Sequence, residues 1–184
     1  MKRAFDLTVS AFALMVSAPL FGAIALAVFL DDGSPVIFEQ KRVGRGNQLF
    51  KIRKFRTMRN GMRSAPSRET AGKDCYTRIG RFLRRMSLDE LPQLVNIFEG
   101  TMSFVGPRPL IPEENAIRQL REEAGVYAVL PGLTGWAQVN GRAKCSDTEK
   151  VALDAEYIKN QSMPLDIKIL FKTVLQVLTR KDVE

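Results

Sequence analysis

The longest run of apolar positions in the chain covers residues 7–30, 24 residues without a charged side chain. A straight α-helix of that length is about 36 Å long, and the hydrocarbon core of a bilayer is about 30 Å thick. Buried helices of soluble proteins usually keep one polar side, and secretory signal peptides have a shorter apolar run before a small-residue cleavage site. The pattern therefore predicts a membrane helix near the start of the chain.

Two features of this run predict that it turns back inside the membrane. Pro19 lies at its centre, where a proline removes a helical hydrogen bond, and Gly22 weakens the helix further. Basic residues flank both ends, and the positive-inside rule places such ends on the cytoplasmic side. The flanking residues are Lys2, Arg3, Lys41, Arg42, Arg45, Lys51, Arg53, Lys54 and Arg56. We therefore predict a re-entrant helix–break–helix over residues 1–32, with a kinked spanning helix as the alternative.

The remainder, residues 33–184, is predicted to form one compact domain of mainly helical α/β class. Short apolar runs at 36–38 and 49–53 surround a glycine-rich turn and predict a β-hairpin. Apolar residues at helical spacing predict helices over 77–86, about 89–98, 113–123 and 167–178. Ser146 and Glu149 have the spacing of a capping box and predict that another helix opens there and runs through residue 157. Basic residues accompany the apolar face of the last helix. That helix is predicted either to lie in the membrane interface or to pack on the core.

Charge and composition narrow the class of partner. The chain of 184 residues carries a net charge of +8, which favours nucleic acid, acidic lipid or a phosphorylated substrate. The chain lacks RNA-binding and zinc-finger motifs, so nothing beyond charge supports nucleic acid. Because histidine is absent, acid–base, nucleophilic and hard-metal chemistry depends mainly on carboxylates. Cys75 and Cys145 form no CxxC motif and are predicted to be reduced thiols, with one disulfide as the alternative.

Two adjacent carboxylates, Asp89 and Glu90, stand among arginines in residues 83–110. Ser87 and Glu90 also have the spacing of a capping box, so an ordinary helix cap is the competing interpretation. Pro92 favours Asp89 as the N-cap, because a proline three positions later then removes no helical donor. On that placement, the helix end and the arginines favour ionised carboxylates, as a nucleophile or a magnesium ligand requires.

Three cationic side chains are candidates for binding phosphate: Lys54, Arg84 and Arg108. Arg84 lies just before the carboxylates. Arg108 lies between Pro107 and Pro109, which fix the backbone on either side and limit the entropy lost on binding. Lys54 follows a predicted strand. A rigid surface loop for Arg108 and a basic strand edge for Lys54 are the ordinary alternatives.

The segment 131–142 is too rich in glycine for regular secondary structure to be expected. Glycines let a backbone approach a nucleotide or a sugar closely, and a tryptophan offers a flat apolar face. The candidate binding side chains in this segment are Trp136, Gln138, Asn140 and Arg142. A cluster of turns around a buried tryptophan is the alternative.

Taken together and in this order, the motifs resemble the bacterial sugar transferases called monotopic phosphoglycosyl transferases. The motifs are the proline-broken membrane segment, KFRTM, RRMSLDELPQL, SFVGPRPL and PGLTGWAQVNGR. The resemblance covers nearly the whole chain. One difference concerns the membrane break, because Ala18 precedes Pro19 where family members often have serine. Ser17 is then the hydroxyl that could bond a freed carbonyl.

The resemblance implies an enzyme that transfers a sugar 1-phosphate from a UDP-sugar to polyprenol (undecaprenyl) phosphate and releases UMP. It implies that residues 33–184 are a catalytic domain on the cytoplasmic face of the bacterial inner membrane, acting in glycoconjugate assembly. It also implies that Asp89 is the nucleophile and that Glu90 binds metal or activates the acceptor. Mg²⁺ is the implied cofactor, with Asp89 and Glu90 as its ligands. A monomer and a homodimer both fit this interpretation.

Two other classes of function account for part of the sequence. A membrane-tethered, non-catalytic basic protein that binds acidic lipid or nucleic acid explains the charge and the membrane segment, and its binding should fall steeply with salt. A structural partner of a glycan-assembly machine would need no activity of its own. Neither class explains Asp89 beside Glu90. The transferase is therefore the predicted function, without nucleic acid as a partner.

Overall fold

The computed structural model describes residues 1–60, 75–141 and 145–179, and over these residues the chain is mainly helical with small sheets. The α-helices are α1 (Lys2–Asp32), α2 (Arg78–Arg85), α3 (Gln93–Glu99), α4 (Asn115–Glu123), α5 (Trp136–Asn140), α6 (Asp147–Lys159) and α7 (Met163–Thr179). The strands are β1 (Ile37–Val43), β2 (Leu49–Phe55), β3 (Ser103–Val105) and β4 (Gly132–Thr134). Short 3₁₀ turns occupy Arg45–Asn47, Leu88–Glu90 and Val126–Ala128. The predicted mainly helical α/β class is confirmed.

The apolar segment forms one α-helix, α1, which continues through Pro19. Its most apolar 18-residue stretch has a mean hydropathy of 2.3, and the helix is long enough to cross a membrane. The interruption expected at Pro19 is therefore not present as an end of the helix, although a proline leaves one carbonyl without its usual donor. The Ser17 hydroxyl donates to the Ala13 carbonyl at 2.5 Å, a local bond of the type that bends helices.

The start of α1 is attached to two other helices. Lys2 forms a 2.6 Å ion pair with Asp166 of α7. Arg3 donates to the carbonyls of Ile97 and Phe98, at distances of 2.6 and 2.7 Å. Those carbonyls lie at the end of α3, where a cation complements the helix dipole. The beginning of α1 is therefore part of the domain's packing.

The end of α1 is attached to the same domain. Its buried side chains Ile24 and Val28 pack against Phe55 of β2 and Leu83 of α2 in one apolar cluster. Asp31 accepts a hydrogen bond from the backbone N–H of Ile79 at 2.9 Å, in the first turn of α2. Because carboxylates stabilise helix N-termini, this contact also fixes the direction of α2.

Strands β1 and β2 pair antiparallel, with Ile37 opposite Phe55 and Val43 opposite Leu49. The predicted hairpin is confirmed, and both strands are longer than the apolar runs that indicated it. Side chains alternate across a strand, so Ile52 and Lys54 share one face of β2. Ile52 is buried with residues of α3 in a second apolar cluster, which holds β2 beside that helix.

Strands β3 and β4 form a parallel pair that the sequence did not predict. The chains approach so closely that a Cβ at Gly132 would overlap the backbone of Gly106 and Thr134. A Cβ at Gly135 would overlap the carbonyl of Gly106. The segment 131–142 therefore contains regular structure, β4 and the whole of α5, contrary to expectation. Its glycines serve this close approach of two backbones.

The last helices follow the predicted pattern. Ser146 and Glu149 form the expected capping box at the start of α6. Helix α7 buries Ile169 and Asp166, but the apolar repeat that predicted it lies mostly on its open side. The exposed apolar residues of α7 are Ile167, Phe171, Val174, Leu175 and Val177. Within the described part of the chain, this apolar face is not covered.

Candidate active site

Asp89 and Glu90 lie in the 3₁₀ turn Leu88–Glu90, between α2 and α3. Ser87 precedes this turn in the left-handed region, with φ of 54°, a conformation that non-glycine residues seldom adopt. Helix α3 begins only at Gln93, with Pro92 at its N-cap. The prediction that Asp89 caps the helix is therefore wrong, because a reversal at Ser87 and a separate turn intervene. Pro92 still stands where no helical donor is lost.

Asp89 is enclosed by the protein and is only 8% exposed. Burial raises the pKa of its carboxyl, while the nearby charge of Lys54 opposes that rise and the charge of Glu90 adds to it. The charges of Lys54 and Arg84 lower the pKa of Asp89, as expected of nearby cations, but desolvation outweighs them. An ionised Asp89 in this position is therefore poorly solvated.

Glu90 has the opposite electrostatic balance. Its Oε1 atom lies 2.6 Å from Nζ of Lys54, so the structure brings these two candidate residues together. Burial alone would raise the pKa of Glu90, but the charges of Lys54 and Arg108 and the polar side chain of Gln93 together lower it. Adjacent carboxylates with pKa values displaced in opposite directions are suited to different tasks.

Glu90, Lys54 and Arg108 line one cleft. The empty space in it is about 270 Å³, part of which is open solvent. The other lining residues are Arg42, Ile52, Gln93, Pro109, Gly132 and Leu133. Three cations thus face one carboxylate in a cleft that has both apolar and polar walls. Such a cleft can hold a ligand that carries several negative charges.

Arg42 is a cleft residue that the motifs missed. It lies opposite Phe50 in the hairpin, on the same strand face as Lys54 and Ile52. Burial lowers the pKa of its guanidinium, and the charge of Arg108 lowers it further. The alternation of side chains along β1 and β2 was the signal that could have placed Arg42 beside Lys54.

Arg84 lies on the Asp89 side of the site. Its Nη1 donates to the hydroxyl of Tyr76 at 2.8 Å, and its guanidinium carbon stands 4.8 Å from the centre of that ring. The charge of Arg84 lowers the pKa of Asp89, although less than burial raises it. Arg84 is therefore close to the dyad and is held by an aromatic side chain.

Arg108 presents an exposed side chain from a fixed backbone, as its flanking prolines predict. Pro107 and Pro109 are both buried. The Pro107 carbonyl accepts from the backbone N–H of Gly132 at 2.9 Å, and the Pro109 carbonyl accepts from Arg42 at 3.3 Å. The loop is consequently joined to β4 on one side and to β1 on the other.

The candidate nucleotide or sugar segment is divided between two places. Its first residues, Gly132 and Leu133, line the cleft. Trp136 lies against α7, with Nζ of Lys172 5.1 Å from its ring centre and that of Lys168 at 5.7 Å. The described residues of this segment thus connect the cleft wall to α7.

The polar side chains after Trp136 have neighbours of their own. Gln138 donates to the Leu133 carbonyl at 3.4 Å, a long bond, and Asn140 accepts from Lys172 at 2.7 Å. Arg142 lies outside the described residues. Binding of a nucleotide or a sugar by Trp136, Gln138, Asn140 and Arg142 stays a prediction.

Binding of Mg²⁺ by Asp89 and Glu90 stays a prediction. Among the described residues, no group of three or more His, Cys, Asp or Glu side chains could hold a metal ion. Mg²⁺ is commonly bound by one or two carboxylates together with phosphate oxygens and water. Asp89 and Glu90 supply that number of carboxylates, and Glu90 lines the cleft beside three cations.

Comparison with known proteins identifies relatives that act on phosphorylated substrates, in agreement with a cleft lined by cations. Residues 1–180 match the family described as bacterial sugar transferase. The undecaprenyl-phosphate glucose phosphotransferase of Komagataeibacter xylinus is 46% identical over 94% of this chain. The UDP-glucose:undecaprenyl-phosphate glucose-1-phosphate transferase of Escherichia coli is 41% identical over 98% of it.

These relatives differ in length from this chain. It spans 35% of the length of the K. xylinus protein and 41% of that of the E. coli protein. The uncharacterized sugar transferase EpsL of Bacillus subtilis has a similar size, with 40% identity over 100% of this chain and 90% of EpsL. The family match over residues 1–180 and these relatives together show that the chain belongs to the bacterial sugar transferase family.

Proposed function

We propose that this protein transfers a sugar 1-phosphate from a UDP-sugar to a polyprenol phosphate, such as undecaprenyl phosphate, and releases UMP. The observation that carries the proposal is the buried Asp89 beside Glu90, which lies 2.6 Å from Lys54 in a cleft shared with Arg108. The names of the K. xylinus and E. coli relatives, both undecaprenyl-phosphate sugar phosphotransferases, support the same reaction.

In the proposed mechanism Asp89 is the nucleophile. An Asp89 carboxylate oxygen attacks the phosphorus that bears the sugar, the bond to the bridging oxygen breaks, and UMP leaves with that electron pair. The resulting phosphosugar–aspartyl ester is then attacked by an oxygen of the polyprenol phosphate, which frees the carboxylate and forms the lipid diphosphate sugar. Desolvation supports this role of Asp89, because a weakly solvated carboxylate is a stronger nucleophile.

The other site residues would neutralise the negative charge of the substrate. Arg108, Arg42 and Lys54 face the cleft and would neutralise the phosphates of the donor, as phosphoryl transfer requires. Glu90 would be a ligand of Mg²⁺ together with Asp89 and phosphate oxygens, and the ion would supply further neutralisation of the diphosphate. Lys54 keeps Glu90 ionised, which a metal ligand needs.

We also propose that α1 re-enters the membrane and that the domain lies on its cytoplasmic face. A spanning helix would separate its two ends by about the 30 Å thickness of the hydrocarbon core. Here Lys2 contacts Asp166 and Asp31 contacts Ile79, so both ends bind one domain. The open apolar face of α7 would rest in the same interface, as amphipathic helices do.

The direct test is a screen of UMP release over a panel of UDP-sugars, with undecaprenyl phosphate and Mg²⁺ present. We expect one donor or a small group of donors to give UMP and a lipid-linked sugar. If no donor releases UMP while the protein binds acidic vesicles in a salt-dependent manner, the non-catalytic alternative is supported instead.

Replacing Lys54 by methionine should move the acid limb of the pH–rate profile to higher pH. The Lys54 charge lowers the pKa of Asp89 and of Glu90, so its loss raises both. Asp89 must be ionised to attack, and a higher pKa means that protonation begins to inhibit at a higher pH. The measurement is kcat/KM across pH at saturating Mg²⁺.

The matched control for Lys54→Met is Lys51→Met. Lys51 lies on the same strand and loses the same charge, but its partner Glu39 is on the exposed side of the hairpin. Its acid limb should stay at the wild-type pH. An acid limb that is the same in Lys54→Met and in the wild type would exclude Lys54 from the electrostatics of the dyad.

Topology can be tested with single cysteines at the two ends of α1. The background protein carries Cys75→Ser and Cys145→Ser and so has no cysteine of its own. In that background, one variant has a cysteine inserted after Met1 and the other has Ser34→Cys. Both thiols should be protected from a membrane-impermeant maleimide in spheroplasts and labelled in inverted vesicles. Labelling of the N-terminal cysteine in intact spheroplasts would establish a spanning helix.

A further inference from the structure

Arg121 of α4 is a charged residue that is almost fully enclosed, with 4% exposure. Its Nη1 donates to the backbone carbonyl of Arg108 at 2.6 Å, and its Nη2 donates to Oδ2 of Asp154 at 2.6 Å. Asp154 belongs to α6 and is 1% exposed. One planar guanidinium therefore joins a buried carboxylate to the backbone of residues 107–109, which we call the phosphate-binding loop because it carries Arg108.

The loop 107–109 depends on neighbouring elements for its backbone hydrogen bonds. Pro107 and Pro109 have no backbone N–H, so the loop can donate few hydrogen bonds of its own. Its carbonyls instead accept from neighbouring elements: Pro107 from Gly132 and Arg108 from Arg121. The contact from Arg121 is made at the very residue whose side chain enters the cleft.

A stability role alone does not explain the pair. Removing two charges from water costs several kcal/mol per ion, and apolar side chains of similar size often pack as well. What an apolar pair cannot provide is a two-pronged donor of fixed geometry. Arg121 provides this donor, with one nitrogen bound to α6 and another bound to the loop.

We propose that Arg121 and Asp154 are positioning residues for Arg108, fixing the direction from which its guanidinium meets the donor phosphates. This inference rests on the proposed function, in which Arg108 binds those phosphates. Asp154 acts through Arg121, and Arg121 acts through the Arg108 backbone. Neither residue lines the cleft that holds Glu90 and Lys54.

The test is Arg121→Lys, assayed by UMP release with the donor identified in the screen. Lysine keeps a positive charge near Asp154 but has a single nitrogen, which cannot hold both partners in the same geometry. We expect the KM for the UDP-sugar to rise about tenfold, with a smaller change in kcat, because a misplaced phosphate clamp weakens donor binding. The KM for polyprenol phosphate should change less.

Arg118→Lys is the matched control. Arg118 lies on the same helix, one turn earlier, and donates to the side chain of Asn47 at 2.7 Å rather than to the loop. Its donor KM should equal that of the wild type. Asp154→Asn is the second variant, because it keeps the shape at Asp154 while removing the counter-charge. Asp154→Asn should also raise the KM for the UDP-sugar, and it takes the place of Arg121→Lys if that variant does not fold.

A double-mutant cycle separates positioning from general stability. In an Arg108→Ala background, Arg121→Lys should cause no further increase in donor KM, since the side chain that it positions is gone. A tenfold increase that persists in that background, or an unchanged KM in folded Arg121→Lys, would overturn the inference. A wild type that releases no UMP from any donor would instead contradict the proposed function.

Discussion

Asp89→Asn is expected to lose UMP release by at least about 10³-fold while increasing the melting temperature of the protein. The loss follows from removing the nucleophile of the proposed mechanism. The gain follows from burial, which raises the pKa of Asp89 and so makes its ionised form unfavourable in the folded state. Above that raised pKa the carboxylate destabilises the folded protein, and a neutral amide of the same shape removes this effect.

The experiment has three measurements: UMP release, the Tm, and labelling of the protein by a UDP-sugar that carries ³²P in the sugar-bearing phosphate. Wild-type protein should acquire label in the absence of polyprenol phosphate, and Asp89→Asn should not. Near-normal turnover or undiminished labelling in folded Asp89→Asn would assign the nucleophile to another group.

Glu90→Gln is the informative comparison, since its Tm should move in the opposite direction. The surroundings of Glu90 lower its pKa, so its charge stabilises the folded protein above its pKa in the unfolded chain. That stabilisation is lost as pH falls through the folded pKa, and Glu90→Gln removes it at neutral pH. Asp147→Asn, on the exposed surface of α6, should leave activity and Tm unchanged.

Gly132→Ala should lower the stability of the folded protein strongly, because it adds a methyl group between β3 and β4. The added Cβ would overlap backbone atoms of Gly106 and Thr134, and backbone cannot move aside as a flexible side chain can. We expect a loss of about 3 kcal/mol in the free energy of unfolding, at the upper end for overpacking. In detergent this corresponds to a fall in Tm of about 6–12 °C.

The same substitution should impair donor binding, because the Gly132 N–H donates to Pro107 in the phosphate-binding loop. Gly22→Ala is the matched control: beyond its chain neighbours and the backbone of its own helix, no described atom lies within 4 Å of its new Cβ, and alanine favours a helix. A Gly132→Ala protein with wild-type Tm would mean that β3 and β4 can separate without cost.

Local patterns were sufficient to predict much of this fold. The apolar run predicted α1, period-two alternation predicted the hairpin, and Ser146 with Glu149 predicted the start of α6. The site was partly predictable for a similar reason: with no histidine in the chain, carboxylates beside cations were the natural candidates. Lys54 and Glu90 do meet, at 2.6 Å.

What the sequence did not provide depends on contacts between distant residues. The position of Asp89 in a 3₁₀ turn depends on the left-handed Ser87, which no local propensity favours. Arg121 and Asp154 occur in helices whose other charges are exposed or half-buried, so sequence alone gave no reason to expect these two to be buried. Their partner, the Arg108 carbonyl, is a backbone atom and therefore has no signature in the side-chain pattern.

The attachment of α1 at both ends has a consequence for the order in which the protein is made. Lys2 and Asp166 are 164 residues apart, so α1 obtains this partner only after Asp166 has left the ribosome. Ile24 and Val28, by contrast, pack in a cluster whose described members lie no later in the chain than Leu91. The end of α1 can therefore reach its native packing before its start does.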